Sequence, residues 1–271
     1  MTAASKDKGR LDVLLVERGL FESREQARRA IMSGAVMVDG AVMDKPGMRV
    51  ARTADIRLRG ERPKYVSRGG LKLEAALSAF GIDLTGKRVL DAGASTGGFT
   101  DCALKHGAAA VIAVDVGYGQ LAWSLRQDPR VIVKERQNVR YLRPEDLPVP
   151  PDVALADLSF ISLGLVLPAL SGVLPDGGAL IALIKPQFEA GPEHVEKGGL
   201  VKDPRVHRET VERVMRAAEA AGLYAKGLIP SPIRGGDGNI EFLFWAQKGV
   251  PPRIVDEAEI ARVVDAAHRP R

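Results

Sequence analysis

The sequence contains a single cysteine, Cys102, among 271 residues, and only 5% of its residues are aromatic. One cysteine can form neither an internal disulfide nor a zinc site built from thiolates, which excludes a disulfide-rich secreted fold. No stretch approaches the roughly 18 consecutive apolar residues that a membrane-spanning helix needs. The first ten residues lack the apolar core of a secretory signal. We therefore expect a soluble protein in a reducing, cytoplasmic compartment.

Histidine and tryptophan are also scarce, with four and two copies. The histidines show no spacing to one another or to carboxylates that is typical of a metal site, so no bound metal is expected. The tryptophans are expected to pack in the core rather than to stack on bases. These residues are His106, His194, His207, His268, Trp123 and Trp245.

Positive charge is unevenly distributed along the chain. The whole sequence has a net charge of +5, but residues 1–70 alone hold 15 Lys and Arg against 9 Asp and Glu. The other 201 residues are therefore close to neutral. Such asymmetry indicates a polyanion-binding module attached to a neutral body, although a merely solvated basic face would give the same count.

The basic segment begins with two short predicted helices. The first covers Asp12 to Arg18, with leucines on one side and a glycine after it. The second begins at Ser23, and Gln26 three residues later completes a capping box. It ends before Gly34, where the hydrophobic period changes from 3.6 to 2. The segment then predicts a small sheet with a hairpin turn at Asp39-Gly40.

These residues resemble a ribosomal RNA-binding module that also occurs in a small-subunit ribosomal protein, tyrosyl-tRNA synthetases and pseudouridine synthases. The resemblance covers residues 10–59 and rests on the Arg-Leu-Asp, Ser-Arg-Glu-Gln-Ala-Arg and Val-Asp-Gly motifs. It implies that the module binds structured RNA. The residues implied in RNA binding are Arg10, Arg24, Arg28 and Lys45.

From Arg88 onward, strand-like and helix-like segments alternate, which is typical of a doubly wound, Rossmann-like α/β domain. Four predicted strands lead into a polar residue at the point where each strand ends. In open α/β sheets ligands bind outside the carboxyl ends of the strands, so these residues predict a site at that edge. They are Asp91, Asp115, Asp157 and Lys185.

A glycine-rich turn follows the first strand of this domain. It starts at Gly93 and continues to Gly98, but Ser95 stands where the dinucleotide fingerprint has its middle glycine. Asp115 lies 22 positions after Gly93, a spacing that suits an acidic residue accepting hydrogen bonds from ribose hydroxyls. The pattern favours a nucleoside cofactor without a pyrophosphate.

Five motifs in this body resemble the FtsJ-type ribosomal-RNA 2′-O-methyltransferases, and the whole chain resembles the TlyA family, which is also labelled haemolysin. The motifs are Ser-Arg-Gly-Gly-Leu-Lys, Asp-Ala-Gly-Ala-Ser-Thr-Gly-Gly-Phe, Asp-Leu-Ser-Phe-Ile-Ser, Ile-Lys-Pro-Gln-Phe-Glu and Gly-Asn-Ile-Glu. The resemblance implies S-adenosyl-L-methionine as cofactor, ribosomal RNA or ribosomal subunits as partner, and a Lys-Asp-Lys-Glu tetrad. The tetrad falls on Lys72, Asp157, Lys185 and Glu241.

Further positions follow from the same resemblance. Arg68 is implied in RNA binding, and Asn138 lies where the family contacts adenine. The implied cofactor-binding residues are Asp91, Gly93, Ser95, Thr96, Gly97, Gly98, Phe99, Asp115, Asn138 and Asp157.

The tetrad's residue types suit methylation of a ribose hydroxyl. This hydroxyl is a poor nucleophile, so a base must loosen its proton as it attacks the methyl group. A lysine serves as base only when burial and a second cation favour its neutral form, and two lysines in one pocket supply that repulsion. Our hypothesis makes Lys185 the base, which Asp157 orients, while Lys72 and Glu241 position the ribose.

The predicted organisation is an RNA-binding domain at 1–59, a linker at 60–66 and a methyltransferase domain at 67–271. We expect residues 187–203 to form a flexible lid or an RNA-contact loop, although a plain surface loop would fit the same composition, and residues 255–267 to form a short helix. Two alternatives remain open: a non-catalytic RNA-binding or ribosome-assembly factor, and a haemolysin-like membrane-acting protein. Which nucleotide is modified, in one subunit or both, also remains open.

Overall fold

The structure is a computed structural model that describes residues 7–21, 23–59, 63–236 and 238–269. The chain divides into two compact units, Met1–Pro63 and Lys64–Arg271. Residues 60–62 of the predicted linker lie outside the described residues. Tyr65, within the same predicted linker, is buried in the second unit.

The described residues of the first unit form two helices and five short strands. Its helices are α1 (Leu11–Glu17) and α2 (Arg24–Met32). Its strands are β1 (Lys8–Arg10), β2 (Val36–Val38), β3 (Ala41–Met43), β4 (Arg49–Ala51) and β5 (Ile56–Leu58). Strands β1 and β4 form one pair, and β3, β2 and β5 form a three-stranded antiparallel sheet.

The structure has the helix cap and the hairpin turn of this unit where the sequence predicts them. Ser23 Oγ accepts a hydrogen bond from the Gln26 amide at 3.3 Å, as the capping box requires. Asp39 and Gly40 have φ angles of 49° and 82°, the left-handed values of a type I′ hairpin turn. The apolar faces of both helices pack on the sheet in one core that includes Leu11, Leu15 and Ile31.

The second unit contains seven strands and seven helices among its described residues. The strands are β6 (Arg88–Ala92), β7 (Ala110–Asp115), β8 (Val131–Glu135), β9 (Val153–Ala156), β10 (Ala179–Ile184), β11 (Leu223–Pro230) and β12 (Phe242–Lys248). The helices are α3 (Gly69–Phe80), α4 (Gly98–Lys105), α5 (Trp123–Arg126), α6 (Leu167–Val173), α7 (Pro186–Glu189), α8 (Pro204–Ala220) and α9 (Glu257–His268).

The seven strands form one sheet in the order β11-β12-β10-β9-β6-β7-β8, in which β8, β7, β6, β9 and β10 are parallel. Apolar cores on both faces explain why these strands are nearly continuous hydrophobic runs. The chain proceeds outward from β6 to β8 and then returns to β9 on the other side. This reversal is a topological switch point, where ligands bind in such sheets. The predicted Rossmann-like fold is confirmed.

Two sequence-based expectations are wrong. The indole of Trp123 is on the surface, since this residue is 65% exposed and starts the short helix α5. The C-terminal helix α9 begins at Glu257 rather than at residue 255, because Asp256 caps it by accepting from the Glu259 amide. Separately, His207 and His268 form a pair with ring nitrogens 2.9 Å apart, which their separation of 61 residues along the chain conceals.

Residues 187–203 are packed at both ends, whereas most of residues 192–198 are exposed. The segment contains most of α7, a 3₁₀ turn at Pro192–His194 and a bridge between Glu196 and Leu200. Its two ends are anchored by buried side chains. Glu189 bonds to the loop after β9, and Asn239 accepts from Val201 N at 2.9 Å.

Candidate active site

Two adjoining cavities lie at the carboxyl ends of the parallel strands. The first has a volume of about 460 Å³, and its walls include Arg68, Lys72 and Lys185. The second has a volume of about 530 Å³, and its walls include Asp115 and Asn138. The residues that line both cavities are Gly93, Ser95, Asp157 and Ser159. The two cavities therefore form one continuous site at the switch point.

The four tetrad residues form two ion pairs. Lys72 Nζ lies 2.6 Å from Glu241 Oε2, with side chains 10% and 3% exposed. Lys185 Nζ lies 2.7 Å from Asp157 Oδ1, with side chains 10% and 20% exposed. Helix α3 supplies Lys72, the ends of β9 and β10 supply Asp157 and Lys185, and the residue before β12 is Glu241. The fold brings all four together from distant parts of the chain.

Lys185 has a second partner that the sequence analysis did not single out. Its ammonium donates to Ser159 Oγ at 2.9 Å. Ser159 lies two residues after Asp157, so one short segment orients the amine from two directions. Asp157 and Ser159 also line both cavities, so the residues that hold Lys185 are the same ones that shape the site.

The glycine-rich turn closes tightly over the strand ends. Gly93 has φ of +89°, and a Cβ there would lie 2.8 Å from the carbonyl oxygen of Asp157. A Cβ at Gly98 would overlap Ser67 Oγ. Glycine is therefore required at both positions, once for the left-handed backbone and once for the close approach of α4 to the start of α3.

Asp115 is fixed at the edge of the second cavity. Its Oδ2 accepts from the Ser95 amide at 2.8 Å, and its Oδ1 accepts from the Gly117 amide at 2.7 Å. The carboxylate thus connects the glycine-rich turn to the end of β7. Each oxygen retains a further lone pair, which suits the predicted contact with ribose hydroxyls.

Asn138 caps a 3₁₀ turn with its Oδ1, which accepts from Arg140 N at 3.0 Å. Its side chain lines the second cavity together with Leu158 and Ile161. Apolar walls with one amide group are suitable for a flat, polar-edged ring such as adenine.

Asp91 lies beneath the site rather than in its walls. Its side chain is fully buried, and Oδ2 accepts from Thr100 Oγ1 at 2.6 Å. Burial raises the pKa of Asp91 to about 7. Among the predicted cofactor residues, Gly97 is likewise outside the walls of both cavities, whereas Thr96 and Phe99 line the first.

The predicted RNA-binding residues fall into three groups. In the first unit, Arg10 and Arg24 both donate to the buried carboxylate of Asp12. Arg28 and Lys45 are exposed and form no ion pair with any described residue. Arg68 belongs to the second unit, where it lines the first cavity.

Glu189 was not singled out from the sequence. Its carboxylate accepts from Ser162 Oγ at 2.6 Å and from the Leu163 amide at 2.7 Å, and burial raises its pKa. It therefore ties the helix after Lys185 to the loop after Asp157. Its position four residues after Lys185 in the quoted motif is the only sequence signal for this role.

Comparison with known proteins covers both units. The family described as "FtsJ-like methyltransferase" matches residues 65–248, and the S4 domain matches residues 9–56. The chain is 46% identical to the 16S/23S rRNA (cytidine-2'-O)-methyltransferase TlyA of Mycobacterium tuberculosis, over 97% of each chain. It is 53% identical to YqxC of Bacillus subtilis, which has a provisional rRNA methyltransferase name, over 97% of this chain and 95% of that one.

A solved structure from Streptococcus thermophilus with a provisional hemolysin name is 48% identical, with a TM-score of 0.77 and 97% coverage of each chain. No helix in the described parts of our chain is long and apolar enough to cross a membrane. The matched ranges, the full-length relatives and the paired lysines at the switch point lead to one conclusion. The chain belongs to the FtsJ-like methyltransferase family and carries an S4 domain at its N-terminal end.

Proposed function

We propose that this protein transfers a methyl group from S-adenosylmethionine to the 2′-hydroxyl of a cytidine ribose in ribosomal RNA. The observation that carries the proposal is the pair of buried lysine–carboxylate contacts beside a cavity continuous with a nucleoside-sized one. The similarity to the mycobacterial 16S/23S rRNA enzyme over 97% of both chains supports cytidine and both ribosomal subunits.

The described residues fit the cofactor. The glycine-rich turn at Gly93 and Ser95 lines both cavities, and Asp115 and Asn138 suit a ribose and an adenine. These residues would hold S-adenosylmethionine together with Ser95 and Asp157. When bound, S-adenosylmethionine supplies a methyl group on a sulfonium, which is electrophilic without further activation.

In the proposed mechanism, Lys185 in its neutral form would accept the proton of the 2′-hydroxyl and so make that oxygen a better nucleophile. The two N–H groups of the neutral amine would donate to Asp157 and Ser159, which leaves its lone pair free to accept the proton. Lys72, paired with Glu241, lines the same cavity, where its amine can stabilise negative charge that develops on the 2′-oxygen. The ribose would enter through the first cavity, beside Arg68.

The test is methyl transfer by the Lys185→Ala variant, using tritiated S-adenosylmethionine and 16S and 23S ribosomal RNA or intact subunits. We expect the rate to fall by at least ~100-fold, as for loss of a general base. Cofactor affinity, measured by calorimetry, should stay close to that of the unaltered protein.

Lys87→Ala is the matched control, because Lys87 is an exposed lysine just before β6, at the end of that strand opposite the site. Near-full activity of the Lys185 variant would exclude Lys185 as the base. If the unaltered protein binds ribosomal RNA without incorporating methyl groups, the alternative of a non-catalytic assembly factor would be correct instead. Mapping ribose methylation in a deletion strain identifies the nucleotide.

A further inference from the structure

The first unit contains a carboxylate that two predicted RNA-binding residues share. The Asp12 side chain is completely buried, although it lies in the first turn of α1. Arg10 Nε and Nη2 donate to its two oxygens at 3.0 and 2.9 Å. Arg24 Nη2, from the first residue of α2, donates to Oδ2 at 3.0 Å. One carboxylate therefore joins a strand end and a helix start.

The backbone around Asp12 is also fixed. The Asp12 amide donates to the carbonyl of Pro46 at 3.1 Å, and Leu11 donates to Met48 at 2.8 Å. The Arg10 guanidinium lies over the same turn, 3.6 Å from where a Cβ of Gly47 would be. The turn begins at Lys45, another predicted RNA-binding residue.

Both guanidinium groups retain N–H donors that no described residue accepts. A guanidinium has five N–H groups in one plane, and Asp12 accepts from two of Arg10 and one of Arg24. The arginine side chains are 49% and 57% exposed. The remaining N–H groups can therefore donate to an external anion while the inner ones stay bound to Asp12.

We infer that Asp12 is a positioning residue for RNA binding, which holds the Arg10 and Arg24 guanidiniums in a fixed fork for the phosphate backbone. The inference rests on the proposed function, because the ligand is ribosomal RNA. A fixed planar fork loses less conformational entropy on binding phosphate than two mobile side chains do. The hydrogen bond from Arg10 is the main cause that lowers the pKa of Asp12 to about 2, so the carboxylate is ionised at any pH used for RNA binding.

Replacing Asp12 should change the RNA affinity in the direction opposite to the one that net charge predicts. Removing a negative charge near an RNA-binding surface should strengthen binding if only the net charge matters. If Asp12 positions the arginines, the Asp12→Asn variant binds more weakly despite its extra net positive charge. We expect about a tenfold loss of affinity, the size of a lost charge-assisted hydrogen bond.

The experiment measures binding of the full chain to 16S and 23S ribosomal RNA transcripts at several salt concentrations. Glu25→Gln is the matched control, since it removes an exposed acid next to Arg24 and should leave binding equal or stronger. Arg24→Lys is a second variant that keeps the charge but loses the planar fork. It should also weaken binding, whereas a charge-only account predicts no change.

The same measurement in an Arg10→Ala/Arg24→Ala background separates positioning from a general structural role. There Asp12→Asn should have no further effect on RNA affinity, because the groups that it orients are gone. The inference is overturned if Asp12→Asn or Arg24→Lys binds as tightly as the unaltered chain, or if Asp12→Asn weakens binding equally in the double-alanine background. Failure of the unaltered chain to bind ribosomal RNA would instead overturn the proposed function.

Discussion

Lys72 and Lys185 have the same side chain but different surroundings. Lys72 is paired with Glu241, whose side chain is more deeply buried than that of Lys72 and lies against Gly235. Lys185 is paired with Asp157 and Ser159, both of which line the two cavities. A base must be close to the position where cofactor and acceptor meet, so this geometry supports Lys185 in that role and Lys72 as a fixed charge.

Asp115 is the residue whose replacement should affect the cofactor most directly. In Asp115→Ala the amides of Ser95 and Gly117 lose their acceptor, and the glycine-rich turn loses its connection to β7. We expect the affinity for S-adenosylmethionine to fall about tenfold or more. Calorimetry measures this, with Asp83→Ala as a surface control. Unchanged affinity would show that Asp115 does not contact the ribose.

The loop after β9 and helix α7 act together because one buried carboxylate joins them. Glu189→Ala removes the acceptor for Ser162 Oγ and for the buried Leu163 amide. An unsatisfied buried donor costs about 1–3 kcal/mol, so the free energy of unfolding should fall by that amount. Cofactor affinity should fall too, because the loop carries Leu158 and Ile161 of the second cavity.

Glu189→Gln keeps an acceptor oxygen and should recover part of both losses. Glu193→Ala, in the same segment but exposed, should change neither property. Urea unfolding and calorimetry on the three variants test this. If Glu189→Ala were as stable and bound S-adenosylmethionine as tightly as the unaltered protein, the loop and the helix would be independent.

Helices α8 and α9 are joined by a histidine pair that responds to pH. His207 Nε2 lies 3.0 Å from the Val201 carbonyl, so it is assigned the proton, and Nδ1 then accepts from His268. Burial is the main cause that lowers the pKa of His207 to about 4. Between pH 4 and about 6.5 the unfolded chain therefore binds more protons, and stability falls as the pH falls.

Lowering the pH from 7.5 to 5 should reduce the free energy of unfolding by about 2 kcal/mol through His207 alone. The His207→Gln variant should be less stable at pH 7.5 but should lose less between the two pH values. His194→Gln, which alters an exposed histidine, should retain the full dependence. Equal pH dependence in His207→Gln and the unaltered protein would show that His207 does not titrate in this way.

At the scale of the whole molecule, the excess positive charge and the candidate catalytic residues lie in different parts of the chain. The excess positive charge belongs to the first 70 residues, whereas the paired lysines and both cavities belong to the second unit. The second unit has two hydrophobic cores of its own, so we expect it to fold without the first unit. The two units should therefore be separable in function.

A chain reduced to residues 64–271 should bind S-adenosylmethionine normally but ribosomal RNA weakly. The affinity falls as the salt concentration rises. Each lost phosphate contact should make the slope of log affinity against log salt concentration shallower by about 0.7–0.9. The full chain with Arg28→Ala and Lys45→Ala should lose roughly two such contacts and keep its cofactor affinity. An unchanged salt slope in the shortened chain would place the RNA contacts in the second unit.

The sequence by itself determined the alternation of strands and helices, the hairpin at Asp39-Gly40, the cap at Ser23 and the residue types of the tetrad. These are local properties, because hydrophobic period, turn residues and capping signals act within a few residues. The boundaries moved by one or two residues where a cap interaction competed, as at α9, which begins after the Asp256 cap.

Only the tertiary structure decided which groups meet. It pairs Lys72 with Glu241 across 169 residues and His207 with His268 across 61. It places Asp91 beneath the site and anchors the two ends of residues 187–203 through Glu189 and Asn239. It also draws Arg10 and Arg24 onto one buried carboxylate. Such contacts depend on how strand ends and helix faces come together in space, which spacing along the chain does not encode.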